Sequence, residues 1–278
     1  MKAVILAGGR GERIRPISDT LPKALVPIDG KPIIAHQIEQ LERVGVREIF
    51  ILTGYLAQSI ASYCGQLQTN MKIHCIESSP GATPAQRILN SQIDIGDEFL
   101  LIYCDNFILS DSNIESVLQS NAAITFLVQS RDVGNIKLNS NQQAFYTSDQ
   151  RSSNYRAVEL GNISVKTKRF MEVLNKTQDL PQTLEKLSNE LVCLAVISNS
   201  PVNSISNLKT YTSNLRRRRI LLLDRDGILV EKMPYREYLS NLKDYRPIYE
   251  NWSTLKKVSN LGVDFLIATN QPGVATGE

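Results

Sequence analysis

Glycines and cationic side chains crowd one short stretch near the amino terminus. Leu6-Ala7-Gly8-Gly9-Arg10-Gly11-Glu12-Arg13-Ile14-Arg15-Pro16 follows an apolar run at residues 3–6. Glycines let the backbone approach an anion closely and turn its N–H groups toward it. Arg13, and Lys23 within Pro22-Lys23-Ala24-Leu25-Val26-Pro27, add fixed positive charge. Amide donors and cations together suit a polyphosphate. The G-K-[ST] ending of a P-loop is absent, and Gly8, Gly9 and Gly11 miss the GxGxxG spacing of dinucleotide folds. On the glycines alone, an ordinary turn of an α/β domain is an equally good account.

Two further stretches supply carboxylates. Leu100-Leu101-Ile102-Tyr103-Cys104 leads into Asp105-Asn106, which reads as a buried strand ending in an acid. A hard cation such as Mg²⁺ takes oxygen ligands, so Asp105 is a candidate metal ligand; a turn Asp that caps the next element is the alternative. Ile220-Leu221-Leu222-Leu223 leads into Asp224-Arg225-Asp226-Gly227. Two acids one residue apart project together from a strand end, where one attacks phosphorus and the other shuttles a proton. Asp224 and Asp226 are candidate metal ligands too, and a surface turn is the alternative. Thr269-Asn270-Gln271 ends the next apolar run, with Gly273 and Gly277 following.

These residues need a scaffold. Residues 3–6, 48–53, 71–77, 99–104 and 124–129 read as strands. Between the first two, Pro32 and Gly45 bracket a helix whose Ile34, Ile38, Leu41 and Val44 share one face. A short helical stretch runs on to Cys64. Strands alternating with helices predict a mainly parallel sheet covered on both faces. Residues 135–165 look like a β-rich insertion, residues 167–189 like a helix interrupted by Pro181, and residues 191–197 like a further strand. Residues 199–215 are rich in Ser and Asn, and Arg216 to Arg219 form a basic run, which reads as a solvated linker. A strand at 220–223, a helix at about 248–261 and a strand at 263–268 follow.

Bulk properties narrow the function classes. A chain of 278 residues is long for one domain and short for two full ones. Net charge is +3, from 31 basic and 28 acidic residues, too mild a balance to argue for nucleic acid. The basic run also lacks the aromatic interleaving that single-strand binding uses. The four cysteines (Cys64, Cys75, Cys104, Cys193) form no CxxC pair, and His36 and His74 are the only histidines, so a zinc site has little to draw on. No apolar run approaches the roughly 18–20 residues that span a bilayer. Residues 1–15 turn polar and basic too early for a signal peptide. The expected compartment is the cytoplasm, with no membrane partner; association into oligomers stays open.

The order Ala7-Gly8-Gly9-x-Gly11-x-Arg13-x-x-Pro16, then Pro22-Lys23-x-Leu25-x-Pro27-Ile28-x-Gly30-Lys31-Pro32, resembles the signature of sugar-phosphate nucleotidyltransferases. That resemblance implies a Rossmann-like α/β fold, dependence on Mg²⁺, a nucleoside triphosphate and a sugar 1-phosphate as substrates, and release of pyrophosphate. By it, Leu6, Ala7, Gly8, Gly9 and Gly11 hold the nucleotide, Arg13 binds its β- and γ-phosphates, Lys23 stabilises the α-phosphate transition state, and Asp105 binds the metal. Gly81-Ala82-Thr83-Pro84-Ala85 stands where the family has a Gly-Thr-Ala-Gly-like loop at the base. Glu159-Leu160-Gly161-Asn162 resembles the sugar-contacting segment, with Glu159 and Gly161 as its contacts; a strand with a bulge glycine is the other account. Cys104 replaces the family's usual Gly, a tolerable change that crowds the turn; two departures matter more, the Gly81–Ala85 stretch at the base and Val202-Asn203-Ser204-Ile205-Ser206, which has no acid where the family has a second metal ligand.

The D-x-D-G run together with Thr269-Asn270 resembles haloacid-dehalogenase (HAD) phosphatases, in the branch acting on histidinol phosphate and heptose bisphosphate. By it, Asp224 is the nucleophile, Asp226 the general acid/base, both near the metal, and Thr269 and Asn270 bind phosphate; Tyr238 and Pro247 fit the branch's spacing. The later Lys and acidic cluster of that family do not occur before Glu278, so the expectation is the first part of a second Rossmann-like domain without useful phosphatase activity. The expected organisation is a nucleotidyltransferase domain at 1–212, a basic linker at 213–218 and a partial HAD-type domain at 219–278. The pairing implies heptose activation for surface polysaccharide, with GMP transferred to D-glycero-D-manno-heptose 1-phosphate. Mannose or glucose 1-phosphate, and a non-catalytic module that binds sugar nucleotides, are the alternatives.

Overall fold

The computed structural model describes residues 1–149, 151–207, 209, 211, 219–234, 242–259 and 263–269. The chain divides into two compact units, Met1–Tyr211 and Thr212–Glu278.

At the centre of the first unit lies β1 (Lys2–Leu6), whose Ala3, Val4 and Ile5 are fully buried. A strand covered on both faces must be apolar on successive residues, and this one is. It pairs in parallel with β4 (Glu48–Thr53) on one side and β6 (Glu98–Tyr103) on the other. The chain leaves β1 through three short 3-10 turns (Glu12–Ile14, Ile17–Asp19, Lys23–Leu25) and the small ladder of β2 (Pro27–Ile28) with β3 (Lys31–Pro32). The segment between β1 and the first helix is thus a series of short turns and one small ladder.

The helix α1 (Ile33–Arg43) buries Ile34, Ile38 and Leu41 against the sheet. It stops at Gly45, φ +87°, where the Gly45 and Val46 N–H groups bond the Glu42 and Leu41 carbonyls. After β4 come α2 (Ala57–Cys64), β5 (Lys72–Glu77) on the outer edge of β4, and α3 (Pro84–Asn90). The chain then returns to the opposite side of β1 to form β6. This reversal of direction makes the carboxyl ends of β1 and β6 a topological switch point, where open α/β sheets bind ligands.

Beyond β6 the sheet becomes mixed. After β7 (Asn106–Ile108), which lies outside this sheet, and α4 (Asp111–Leu118), the chain adds β8 (Ile124–Ser130), β9 (Ile136–Leu138), β10 (Ala144–Tyr146) and β11 (Ala157–Lys166) to it, the last antiparallel to both β6 and β8. Two helices follow, α5 (Thr167–Thr177) and α6 (Leu180–Glu190), in place of the single interrupted helix the sequence suggests. Pro181 sits in the first turn of α6, where its missing N–H costs nothing, and Asp179 caps that turn. The strand β12 (Cys193–Ile197) pairs in parallel with β8, and β13 (Val202–Ser204) pairs antiparallel with β7.

The second unit contains β14 (Arg219–Asp224) and β15 (Val263–Ala268), paired in parallel, and a helix at Tyr249–Ser259. Trp252 donates its indole N–H to the Leu229 carbonyl at 2.9 Å. A cavity of about 260 Å³ is lined by Leu223, Leu229, Trp252 and Phe265 among others. The stretch 213–218 lies outside the described residues.

Candidate active site

The glycine loop leaves the carboxyl end of β1 held from both sides. Ala7 N–H bonds the Leu52 carbonyl at 2.9 Å, and Tyr55 N–H bonds the Gly8 carbonyl at 3.1 Å. Gly8 is buried and Gly9 exposed. Gly11 has φ +67°, the left-handed region, and Ser18 Oγ donates to its carbonyl at 2.8 Å. Arg13 lies exposed on the first 3-10 turn, with no ion pair among the described residues.

Lys23 begins the third 3-10 turn. Its Nζ donates to Asp105 Oδ2 at 2.8 Å, both side chains being largely buried. Asp105 stands two residues past β6, in a turn fixed by three bonds. Gln37 Nε2, from α1, donates to the Tyr103 carbonyl at 2.9 Å and the Asn106 carbonyl at 2.7 Å; Ile205 N–H donates to the Asp105 carbonyl at 2.9 Å. Residues 6 to 11, Lys23 and Asp105, separated by more than eighty positions in sequence, therefore meet at the switch point.

Glu159 and Gly161 lie in β11, whose register against β8 shifts between Glu159 and Ile163. The bulge bends the Glu159 side chain back to accept the Gly161 N–H. Gly161 has φ +80°, and a Cβ there would meet Tyr103 Cβ at 2.9 Å. Burial pushes the Glu159 carboxyl up to about 7, against the pull of the Gly161 N–H; the nearby Asp105 charge pushes the same way as burial. Burial likewise raises the Tyr103 phenol. Asn106 Nδ2 donates to the Leu160 carbonyl at 3.2 Å, so the Asp105 turn and the Glu159 bulge adjoin.

Gly81 is exposed, with open space where a Cβ would be. The stretch read as a loop at the base instead starts a helix. Thr83 is the N-cap of α3, in a reciprocal capping box with Gln86, and Pro84 opens the first turn. Sequence reading overlooked Arg87 on that helix. Its guanidinium is buried, donating to the carbonyls of Thr53 (2.7 Å), Gly8 (3.0 Å) and Pro80 (3.3 Å), and to Ser78 Oγ. The Cβ positions of Gly8 and Gly54 fall 2.3 and 2.2 Å from guanidinium atoms, so the guanidinium occupies the space both glycines leave open.

No cluster of three or more His, Cys, Asp or Glu occurs among the described residues. Beside Asp105, β13 offers Asn203 and Ser204 rather than an acid, Ser204 pairing with Asn106 in register. A single carboxylate, Asp105, beside a glycine loop would suit Mg²⁺, an ion that keeps water and substrate oxygens in its shell; it does not fit a cation caged wholly by protein.

In the second unit, Asp224 is exposed at the end of β14, its Oδ1 accepting the Arg225 N–H at 2.7 Å. Asp226 is held by the Arg225 guanidinium at 2.7 Å. Asp224 pairs in register with Ala268, so Thr269 follows at the same sheet edge. Asn270 and Tyr238 lie outside the described residues, and Pro247 bridges to Val230.

Residues 2–133 match the model of the family described as Nucleotidyl transferase. The chain is similar to the bifunctional protein GlmU of Methanocaldococcus jannaschii, 34% identical over 124 residues, 45% of this chain and 29% of that protein. It is similar to UTP--glucose-1-phosphate uridylyltransferase AglF of Haloferax volcanii, 29% identical over 136 residues, 48% of this chain and 55% of that protein. The chain thus spans about half or less of the length of these curated relatives. In fold it is similar to HddC from Yersinia pseudotuberculosis complexed with GMP-PN, with a TM-score of 0.62 at 20% identity over 78% of this chain and 98% of that one. No helix among the described residues is long and apolar enough to cross a membrane. The match over residues 2–133, just under half of the chain, takes in both the glycine loop at the switch point and the Lys23–Asp105 pair.

Proposed function

We propose that the first unit transfers a nucleoside monophosphate from a nucleoside triphosphate to a sugar 1-phosphate, releasing pyrophosphate. The observation that carries this reading is the Lys23–Asp105 pair beside the glycine loop. The backbone of Gly8, Gly9 and Gly11 receives the polyphosphate, and Arg13 adds positive charge at its β- and γ-phosphates. A sugar 1-phosphate oxygen attacks the α-phosphorus in line and pyrophosphate leaves, with no enzyme nucleophile. Lys23 faces the charge that develops at the α-phosphate, the kind of preorganised stabilisation that dominates such reactions. Glu159 and Gly161 adjoin the Asp105 turn, which supports a sugar subsite there. Mg²⁺ held by Asp105 and the phosphates would neutralise charge on the leaving group.

For the finer assignment we favour GMP and D-glycero-D-manno-heptose 1-phosphate. The fold likeness to HddC, solved with GMP-PN, supports the guanine nucleotide, and the D-x-D-G run at Asp224 and Asp226 supports a heptose bisphosphate phosphatase-like second unit. A second reading has its own support: with Asn203 and Ser204 beside Asp105, a domain that binds sugar nucleotides without turnover also accounts for the site.

Pyrophosphate release from a panel of nucleoside triphosphates and sugar 1-phosphates, GTP with heptose 1-phosphate included, tests the proposal. Turnover should be lost in Lys23→Ala and Asp105→Ala; release that ignores both changes would defeat the residue roles. Calorimetry with GTP in Mg²⁺ and in EDTA separates the readings, because tight metal-independent binding without turnover favours the non-catalytic module.

A further inference from the structure

A buried cation normally sits beside a carboxylate, because an unpaired charge in the interior is costly. Arg87 is 4% exposed, yet no carboxylate among the described residues lies within ion-pair distance. Its four bonded acceptors are all neutral: three carbonyls and a hydroxyl. Those acceptors come from three places at the carboxyl edge of the sheet: the glycine loop after β1, the end of β4, and the segment between β5 and α3. The guanidinium is therefore a staple under the cradle that still carries a net positive charge.

The orientation of one peptide unit gives the staple a direction. The Gly8 carbonyl accepts two donors from behind, Tyr55 N–H and Arg87 Nη2. In a trans peptide the carbonyl and the following N–H point opposite ways. Drawing the Gly8 carbonyl inward thus turns the Gly9 N–H outward. Gly9 is exposed, open space lies where its Cβ would be, and no acceptor for its N–H occurs among the described residues. Hydrogen bonds to a carbonyl also polarise the peptide, making the opposite N–H a better donor.

We propose that Arg87 is a positioning residue of the polyphosphate cradle, aiming the Gly9 N–H outward and placing beneath it a positive charge that the fold leaves uncompensated, so that a bound triphosphate supplies the missing counter-charge. This rests on the reading of the glycine loop as a triphosphate site. It adds a specific consequence: Arg87 discriminates by ligand charge without touching the ligand.

Inorganic tripolyphosphate is a probe free of base and sugar. Its affinity for the full chain, and that of the uncharged nucleoside matching the preferred triphosphate, are measured by calorimetry in wild type, Arg87→Met, Arg87→Gln and Arg87→Lys. The expected result is that the Met and Gln variants weaken tripolyphosphate by about tenfold or more, while nucleoside binding changes less than about threefold and Arg87→Lys recovers much of the loss. Should Arg87→Met fail to melt cooperatively, Arg87→Lys against Arg87→Gln makes the same comparison of charge. A folded neutral variant that binds tripolyphosphate as tightly as wild type overturns the proposal, as does an equal loss for both ligands, which marks a purely structural arginine. Wild-type protein that ignores tripolyphosphate overturns the reading of the loop itself, and this proposal with it.

Discussion

Lys23 Nζ lies 2.8 Å from the Asp105 carboxylate, joining the 3-10 turn that follows the glycine loop to the turn that follows β6. The pair is mostly shielded from water, so each charge depends on the other more than an exposed pair would. Lys23→Ala leaves Asp105 without its cation. We expect pyrophosphate release to fall by about a hundredfold or more, in line with losing one preorganised donor to a transition state. Stability should fall by about 1–3 kcal/mol. The double variant Lys23→Ala/Asp105→Ala should be less destabilised than the sum of the singles, because it buries no orphan charge. Denaturant melts of all three decide it, and strict additivity would sink the claim of coupling.

Gly54→Ala probes the packing beneath the loop. A Cβ there lands 2.2 Å from Arg87 Nη1, inside any tolerable contact. The guanidinium cannot swing away without giving up its carbonyl partners. We expect a loss of about 1–3 kcal/mol, typical of overpacking, and a favourable interaction with Arg87→Met, which empties the contested space. Equal destabilisation by Gly54→Ala in both backgrounds would contradict the steric account.

How much of this was legible in the chain follows from what each feature depends on. The central strands were readable because Ala3-Val4-Ile5 and Leu100-Leu101-Ile102 are continuous apolar runs, the mark of strands buried on both faces. The glycine loop, Lys23 and Asp105 were readable as residue types at strand ends. Their meeting was implied by the family resemblance alone, because in the chain it depends on β6 returning beside β1. Gln37 and Arg87 escaped notice: their roles lie in donating to carbonyls of Tyr103, Asn106, Gly8 and Thr53, and carbonyls carry no sequence signature. The short α3 and α4, seven and eight residues, fall below the length at which apolar periodicity stands out, and only their caps, Thr83 and Ser110, hinted at them.

Gly161→Ala tests the bulge in β11. The residue has φ +80°, and its Cβ would sit 2.9 Å from Tyr103 Cβ. Both backbone strain and a clash with the strand that leads to Asp105 follow. We expect a loss of stability of about 1–3 kcal/mol. In turnover, the KM for sugar 1-phosphate should rise more than the KM for nucleoside triphosphate, because the bulge adjoins the proposed sugar subsite and not the glycine loop. A matched rise in both constants would remove the sugar assignment from this segment.

Glu159 predicts a pH dependence of definite sign. Burial lifts its carboxyl from an ordinary 4.5 to about 7 in the folded chain. Below about pH 4.5 both the folded and unfolded states hold the proton, and the site costs nothing. Between 4.5 and 7 the unfolded state releases its proton while the folded state keeps it, so the folded state binds more protons and stability falls as pH rises. Above about 7 the penalty is constant, at most on the order of 3 kcal/mol. Glu159→Gln keeps an oxygen to accept the Gly161 N–H but cannot ionise. We expect the variant to match wild type in thermal midpoint near pH 4, to pull ahead through the interval, and to hold a constant lead at pH 8. A lead that is the same at pH 4 and pH 8 would mean that the carboxylate is not the buried charge described here, and a variant less stable than wild type at pH 8 would mean that the attraction of the Arg151 charge for ionised Glu159 outweighs its burial.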